Sequence, residues 1–261
     1  MDLFPKAFQS DLADLMRWRR DVRRFRSDPV DDALVQECLE TFLFAPSVGL
    51  SEPWRVIRVE STEARAAACK NFQIANQDAL QGYSGEKAVL YAGLKLSGMR
   101  DAPVHLAVYC DEATDKGSGL GAKTMPEMRR YSVVGAINLF WLAARARGLG
   151  VGWVSILDQA QLAEDLTVST DWRLVAYLCV GWPETNDTTP ELETSGWDTR
   201  RGHLPVETRY AGMLFRPIRL IVLLTVAFAA GVLFERKQVG EACVQAQGTY
   251  VGGVCREAKD V

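Results

Sequence analysis

Arg17-Trp-Arg-Arg-Asp-Val-Arg-Arg-Phe-Arg26 packs six arginines into ten residues around one carboxylate, Asp21. Guanidinium groups this close repel one another unless anions answer them. The segment itself offers only Asp21 and, shortly after it, Asp28. Arginine presents a planar fork of donors that matches phosphate oxygens, so a phosphorylated ligand would account for the cluster. Such a ligand would leave Asp21 as an anion beside it. The flanking arginines would keep that carboxylate ionised near neutral pH and able to accept a proton. Composition alone leaves a solvated charged face open as a second reading. A nucleic-acid surface is disfavoured, because the chain carries a net charge of −3 and has no second basic stripe.

The other reactive residue types are sparse. Cys38, Cys69, Cys110 and Cys179 lie far apart, three of them in apolar patterns, and read as small buried hydrophobes in a reducing compartment. Only two histidines occur, His105 and His203, and there is no Cys-x-x-Cys, so no zinc or di-iron site is expected. The 261 residues, 48% of them hydrophobic, suit one globular domain of about 200 residues plus an appendage. Met1-Asp-Leu-Phe-Pro leads into mixed polar sequence rather than a signal peptide, so the catalytic part is expected in the cytoplasm.

Elements must hold these groups in place. Phe8, Leu12, Leu15 and Met16 share one helical face, and the arginine run leaves the end of that helix. Pro29 opens a second helix through Phe42, with Asp31 or Asp32 supplying its N-terminal charge, and Ala45-Pro-Ser-Val-Gly49 stops it. Trp54 to Val59 reads as a strand, and Ser61 starts a helix to about Leu80. Residues 81–100 are polar and weakly periodic, either a flap over a site or a plain surface connection. Val104 to Cys110 is apolar enough to be covered on both faces. The helix Pro126 to Arg147 ends at Gly148. Gly150-Val-Gly-Trp-Val-Ser-Ile156 is a strand whose glycines allow close approach of something flat. A short helix at 159–166 and a strand at 174–180 follow. Two helices precede any strand and no Gly-x-Gly-x-x-Gly follows one, so the fold class is α+β rather than a Rossmann domain.

Four segments in order resemble the nitroreductase-like flavoprotein superfamily, and within it the BluB branch of 5,6-dimethylbenzimidazole synthases. They are Arg19-Arg-Asp-Val-Arg23, Ala45-Pro-Ser-Val-Gly-Leu-Ser-Glu-Pro-Trp54, Asn138 through Ser155, and Pro190-Glu-Leu-Glu-Thr-Ser-Gly-Trp197. Together they span roughly residues 10–205. Asp21, where ordinary nitroreductases have Ser, is what points to the synthase branch.

The resemblance implies a mostly antiparallel central sheet sandwiched by helices, in a domain-entwined homodimer whose subunits share two flavin sites. Arg19, Arg20 and Arg23 would hold the FMN phosphate and ribityl chain, with Arg200 a further phosphate ligand and Asp21 and Val22 beside them. Ser47 would reach the flavin from across the dimer interface, and the backbone from Gly152 to Ser155 would lie along the ring. The implied reaction is O2-dependent fragmentation and contraction of reduced FMN to 5,6-dimethylbenzimidazole, the lower ligand of vitamin B12. Asp21 would act as acid/base and Ser155 as a hydrogen-bonding group. FMNH2 and O2 are then substrates, and NAD(P)H enters only through a separate flavin reductase. Without the resemblance, Ser155 reads as a packed hydroxyl bonded to backbone. Glu52 departs from the branch, which commonly has Gln there, and its charge matters only if it contacts flavin. An NAD(P)H-dependent FMN nitroreductase is the alternative activity, and a membrane-tethered flavin-binding module without catalysis is the alternative class.

Residues 211–261 fall outside this pattern. Leu220 to Phe234 runs fifteen residues without a charge. At ~1.5 Å per residue a helix there spans about 22 Å, short of the roughly 30 Å hydrocarbon core. Counting Ile218 and letting Arg219 and Arg236 snorkel narrows the gap. Membrane association through helix 218–234 is expected, over a helix docked on the dimer or a fused small membrane protein starting at Met213. Eleven residues separate Cys243 from Cys255, so a disulfide can close if the tail lies outside the cytoplasm.

Overall fold

The computed structural model describes residues 3–94, 97–209 and 216–256. The chain divides into two units, Met1–Arg200 and Arg201–Val261. The expected boundary near 210, and Met213, lie outside the described residues.

The first unit is a four-stranded sheet covered by helices on both faces. Its strands are β1 (Trp54–Arg58), β2 (Val104–Asp111), β3 (Gly150–Val154) and β4 (Trp172–Gly181), in spatial order β1-β2-β4-β3. Every pairing is antiparallel. In β2 seven consecutive residues are buried, as an almost uniformly apolar run requires. Strand alternation sends Leu106, Val108 and Cys110 to one face, with Leu178 and Val180 of β4. Ala107 and Tyr109 face the other way with Tyr177 and Cys179.

The first face is covered by α2 (Asp32–Leu39) and α6 (Met128–Ala146), which contribute Val35, Cys38, Ile137 and Phe140. Helix α2 begins three residues later than the expected start at Pro29, because the Asp31 carboxylate accepts the Ala33 N–H and becomes the N-cap. Helix α6 ends as its sequence demands. Gly148 adopts φ +83°, and the Leu149 N–H returns to the Ala144 carbonyl. The second face is covered by α3 (Thr62–Gln81), α5 (Gly98–Asp101) and α7 (Gln159–Asp165), through Phe72, Met99 and Leu162. Ser61 caps α3 by accepting the Ala64 N–H. The polar stretch after α3 contains α4 (Gly85–Gly93). The amphipathic N-terminal helix α1 (Lys6–Trp18) has no buried residue and leaves Phe8, Leu12 and Met16 exposed. After β4 comes the short α8 (Glu191–Thr194).

In the second unit, α9 (Arg216–Gln245) leads to a hairpin of β5 (Thr249–Val251) and β6 (Val254–Arg256). Gly252 and Gly253, both at positive φ, make its turn. Cys243 and Cys255 are joined by a disulfide that ties the end of α9 to β6, with 5.6 Å between their Cα atoms. Among the described residues, no helix is long and apolar enough to cross a membrane. The expected membrane-spanning form of helix 218–234 is therefore not seen among the described residues. The charge-free run is a helical segment of about 22 Å, and α9 continues from it into Glu235, Arg236 and Lys237.

Candidate active site

The segment from Asp21 to Arg26 extends the sheet beyond β3. Asp21 bridges Val151 in parallel, the Val22 N–H donates to the Val151 carbonyl at 3.0 Å, and the Arg26 N–H donates to the Trp182 carbonyl at 2.8 Å. Trp141 fixes the start of the strand. Trp141 Nε1 donates to the Arg20 carbonyl at 3.1 Å, and the Arg19 guanidinium lies 4.8 Å from the Trp141 ring centre.

The glycines of β3 serve this contact. A Cβ at Gly152 would stand 2.2 Å from the Val22 carbonyl oxygen, and one at Gly150 would stand 2.9–3.1 Å from the Val22 side chain. Within this chain, the close approach they permit is that of the polypeptide itself. Gly152→Ala should therefore separate the arginine strand from β3. Overpacking of this kind costs about 3 kcal/mol or more, which lowers the melting temperature by roughly 6–12 °C in a domain of this size. Calorimetry of the variant checks it, and a melting temperature unchanged within 1–2 °C would refute the contact.

The six arginines divide into two groups. Arg17 pairs with Asp14, Arg24 with Glu191 at 2.7 Å, and Arg26 with Asp28 at 2.7 Å. These three are answered by carboxylates, so the cluster is not a six-fold clamp. Arg20 is buried and donates through Nη1 to the Thr189 carbonyl at 3.0 Å, while its Nε and Nη1 of Arg23 are buried without a partner among the described residues. Burial, together with the charge of Arg200, lowers the pKa of Arg19 and of Arg20 below the arginine norm; Asp187 and Glu191 partly offset this at Arg20. Burial and like charge thus bear on Arg19 and Arg20 together, and Arg20 Nε is buried without a partner among the described residues.

Two cavities flank the strand and share Asp21, Val22 and Arg23. One, of about 160 Å³, is polar and lined by Arg20, Arg24, Thr189 and Glu191. The other, of about 120 Å³, is lined by Gly152, Ser155, Phe72, Met99 and Cys179. The first also holds the acids Asp21, Asp187 and Glu191, the last paired with Arg24, so within it Arg20 and Arg23 are the cations left to meet an anion; a flat apolar group suits the mouth of the second. Asp21 stands between them. Its Oδ1 accepts the Trp153 N–H at 2.8 Å, and its Oδ2 lies 3.4 Å from Arg23 Nε.

Burial raises the pKa of Asp21, outweighing the Trp153 N–H and the charges of Arg23 and Arg19, all of which favour the carboxylate. Its side chain remains 41% exposed. The neighbouring arginines therefore do not set its acidity alone; burial acts against them.

Ser155 is exposed on the wall of the Asp21 cavity rather than packed beneath the strand. Ser47 is not brought there. Its hydroxyl accepts the Glu52 N–H at 3.1 Å, in a loop where Gly49, Leu50 and Glu52 all have positive φ. Glu52 pairs with Lys116, so its charge is answered within the chain. Phe72, Met99 and Cys179 were not identifiable beforehand, because each matches an ordinary core pattern. Of the acids near Arg20 and Arg24, Glu191 lies within a motif the sequence did offer, Pro190 to Trp197, and Asp187 lies just before it.

The chain belongs to the nitroreductase family, whose pattern residues 16–182 match. Within it the chain is similar to proteins named 5,6-dimethylbenzimidazole synthase. That of Rhodospirillum rubrum is 52% identical over 207 residues, covering 79% of this chain and 98% of the relative. That of Rhodobacter capsulatus is 44% identical over 204 residues, covering 78% and 97%. Among solved structures, iodotyrosine deiodinase bound to FMN and 3-iodo-L-tyrosine shares the fold, with a TM-score of 0.59 at 21% identity over 76% of this chain and 98% of that one. A BluB-like flavoprotein from Clostridium difficile 630 gives 0.54 at 20% identity, covering 69% and 93%.

Proposed function

We propose that this chain is an oxidoreductase that converts reduced FMN and O2 to 5,6-dimethylbenzimidazole, supplying the lower ligand of vitamin B12. The observation that carries the reading is Asp21, a carboxyl fixed by the Trp153 N–H between a polar, arginine-lined cavity and an apolar one. The high identity to proteins named for this activity supports it.

The residues present suit FMN. Arg19, Arg20, Arg23 and Arg200 hold its phosphate, where the orphaned donors lie. Val22 and Gly152 to Ser155 form the wall along its ring. When bound, reduced FMN supplies both the electrons for O2 and the carbon atoms of the product. Asp21 takes and returns a proton at its carboxylate oxygens, and Ser155 offers a hydroxyl hydrogen bond on the same wall. The chain acts as a homodimer in which Ser47 serves the neighbouring site. Exposed Leu43, Phe44, Leu50 and Leu120 flank its loop and supply the apolar surface for that contact. A flavin reductase working on NAD(P)H is the source of reduced FMN.

Purified protein supplied with FMNH2 and air should form 5,6-dimethylbenzimidazole. Steady nitroarene reduction with NADPH and no such product would make it an ordinary nitroreductase. Flavin binding with neither activity would make it a binding module.

A further inference from the structure

Arg145, on the last turn of α6, is buried and lines neither cavity. A guanidinium taken out of water needs its charge and its N–H donors answered. Its Nη2 donates to Asn186 Oδ1, a neutral acceptor, at 3.2 Å, and its Nε has no partner among the described residues. The Trp18 indole covers its flat face, with the guanidinium carbon 3.8 Å from the ring centre. Such a cation costs stability unless its contacts offset the lost hydration.

Both contacts lead to the polar cavity. Trp18 ends α1 and stands two residues before Arg20. Its own Nε1 donates to the Asn186 carbonyl at 3.4 Å, so Asn186 is gripped at its side chain by Arg145 and at its backbone by Trp18. Asn186 lies between Thr185 and Asp187, which both line that cavity. Three residues further on, the Thr189 carbonyl accepts from Arg20 Nη1 at 3.0 Å. Arg145 also follows Trp141 by four residues and shares its face of α6. Trp141 Nε1 holds the Arg20 carbonyl at 3.1 Å. One face of α6 thus fixes Arg20 through Trp141 and the wall opposite it, 185–189, through Arg145.

We propose that Arg145 is a positioning residue for anion recognition in the polar cavity: stacked against Trp18 and bonded to Asn186, it clamps the 18–20 segment to the 185–189 wall and so presets the Arg20 guanidinium. The proposal rests on the reading of that cavity as the FMN phosphate site. Arg145 itself meets no ligand. Its effect is preorganisation, the ordering of Arg20 before an anion arrives, and so it reaches only ligands that carry the phosphate.

Riboflavin is FMN without the phosphate, and the affinities of the full chain for both flavins, measured by quenching of flavin fluorescence, test the clamp. Arg20→Ala should weaken FMN about tenfold and leave riboflavin unchanged. Arg145→Met, which keeps bulk but removes the charge and the donors, should lose most of that factor for FMN alone. Asn186→Ala, on the exposed side of the contact, should reproduce the FMN-selective loss even if Arg145→Met folds poorly. Trp18→Phe keeps an aromatic face for the guanidinium and should retain FMN affinity. The Arg20→Ala/Arg145→Met double variant should be no weaker than Arg20→Ala, because the clamp then has no fork to preset. Equal weakening of both flavins by Arg145→Met or Asn186→Ala, multiplying losses in the double variant, or unchanged FMN affinity in a folded Arg145→Met would overturn the positioning role. Unchanged FMN affinity in Arg20→Ala would instead remove Arg20 from the phosphate site, and the proposal with it.

Discussion

Asp21→Asn retains FMN binding and the fold but lowers 5,6-dimethylbenzimidazole formation by about 10²–10⁴-fold, the range that a positioned acid/base group contributes. The amide oxygen still accepts the Trp153 N–H, so the local backbone is kept while proton exchange is lost. Product measured after single turnover of bound reduced FMN checks it, and equal product from the variant removes Asp21 from the chemistry. The pH dependence has a definite sign. Burial raises the Asp21 pKa, so the wild-type rate should fall on acidification along a limb lying above the ordinary carboxylate value, and the variant should lack that limb. Stability moves oppositely. A carboxyl with a raised folded pKa contributes stability at low pH and loses it as pH rises through that pKa. Asp21→Asn should therefore melt higher than wild type at neutral pH, with the difference closing in acid.

Arg23→Ala should weaken FMN by about 10- to 100-fold, since a charge-assisted hydrogen bond is worth about 1.5–3 kcal/mol. Its Nη1 is buried and unpartnered, and only 14% of its side chain is exposed, so solvent screens it little. Lysine at this position restores the charge but not the fork, and should recover part of the loss. Riboflavin affinity should not change. The same variant withdraws one of the influences that hold the Asp21 pKa down, so the acid limb should move to higher pH. Titration of both flavins and a pH–rate profile read the two effects separately; a limb that stays in place would mean that Arg23 and Asp21 are uncoupled.

Much of the frame was readable from residue order. The apolar run of β2 announces a doubly covered strand, Gly148 marks the end of α6, and arginine with carboxylate announces an anion and a proton carrier. The resemblance then turned the anion into FMN. What stayed hidden depends on contacts between distant residues. Glu191 answers Arg24 across 167 positions, which no local pattern records. The glycines of β3 were legible as a close approach, but the partner, Val22, was not. The burial that raises the Asp21 pKa was hidden for a related reason: neighbouring arginines are visible in sequence, whereas burial is a property of the folded cleft. Met99 and Cys179 look like any buried side chains until the cavity beside them is seen.

The seating of the arginine strand on β3 also dictates when the enzyme can come into being. Asp21 and the amide that holds it are separated by 132 residues, and Arg20 by 169 from the carbonyl it meets. A ribosome releases the arginines first, long before either partner exists. Until then Arg17, Arg23 and Arg26 have only their local carboxylates, and Arg20 and Arg24 lack the distant partners they meet in the fold, leaving a basic segment available to any polyanion in the cell. Contacts of such sequence separation form late, after the sheet they attach to. Flavin capture is therefore confined to the nearly finished chain. Heat should reverse the order, peeling this strand and ending catalysis before the core gives way.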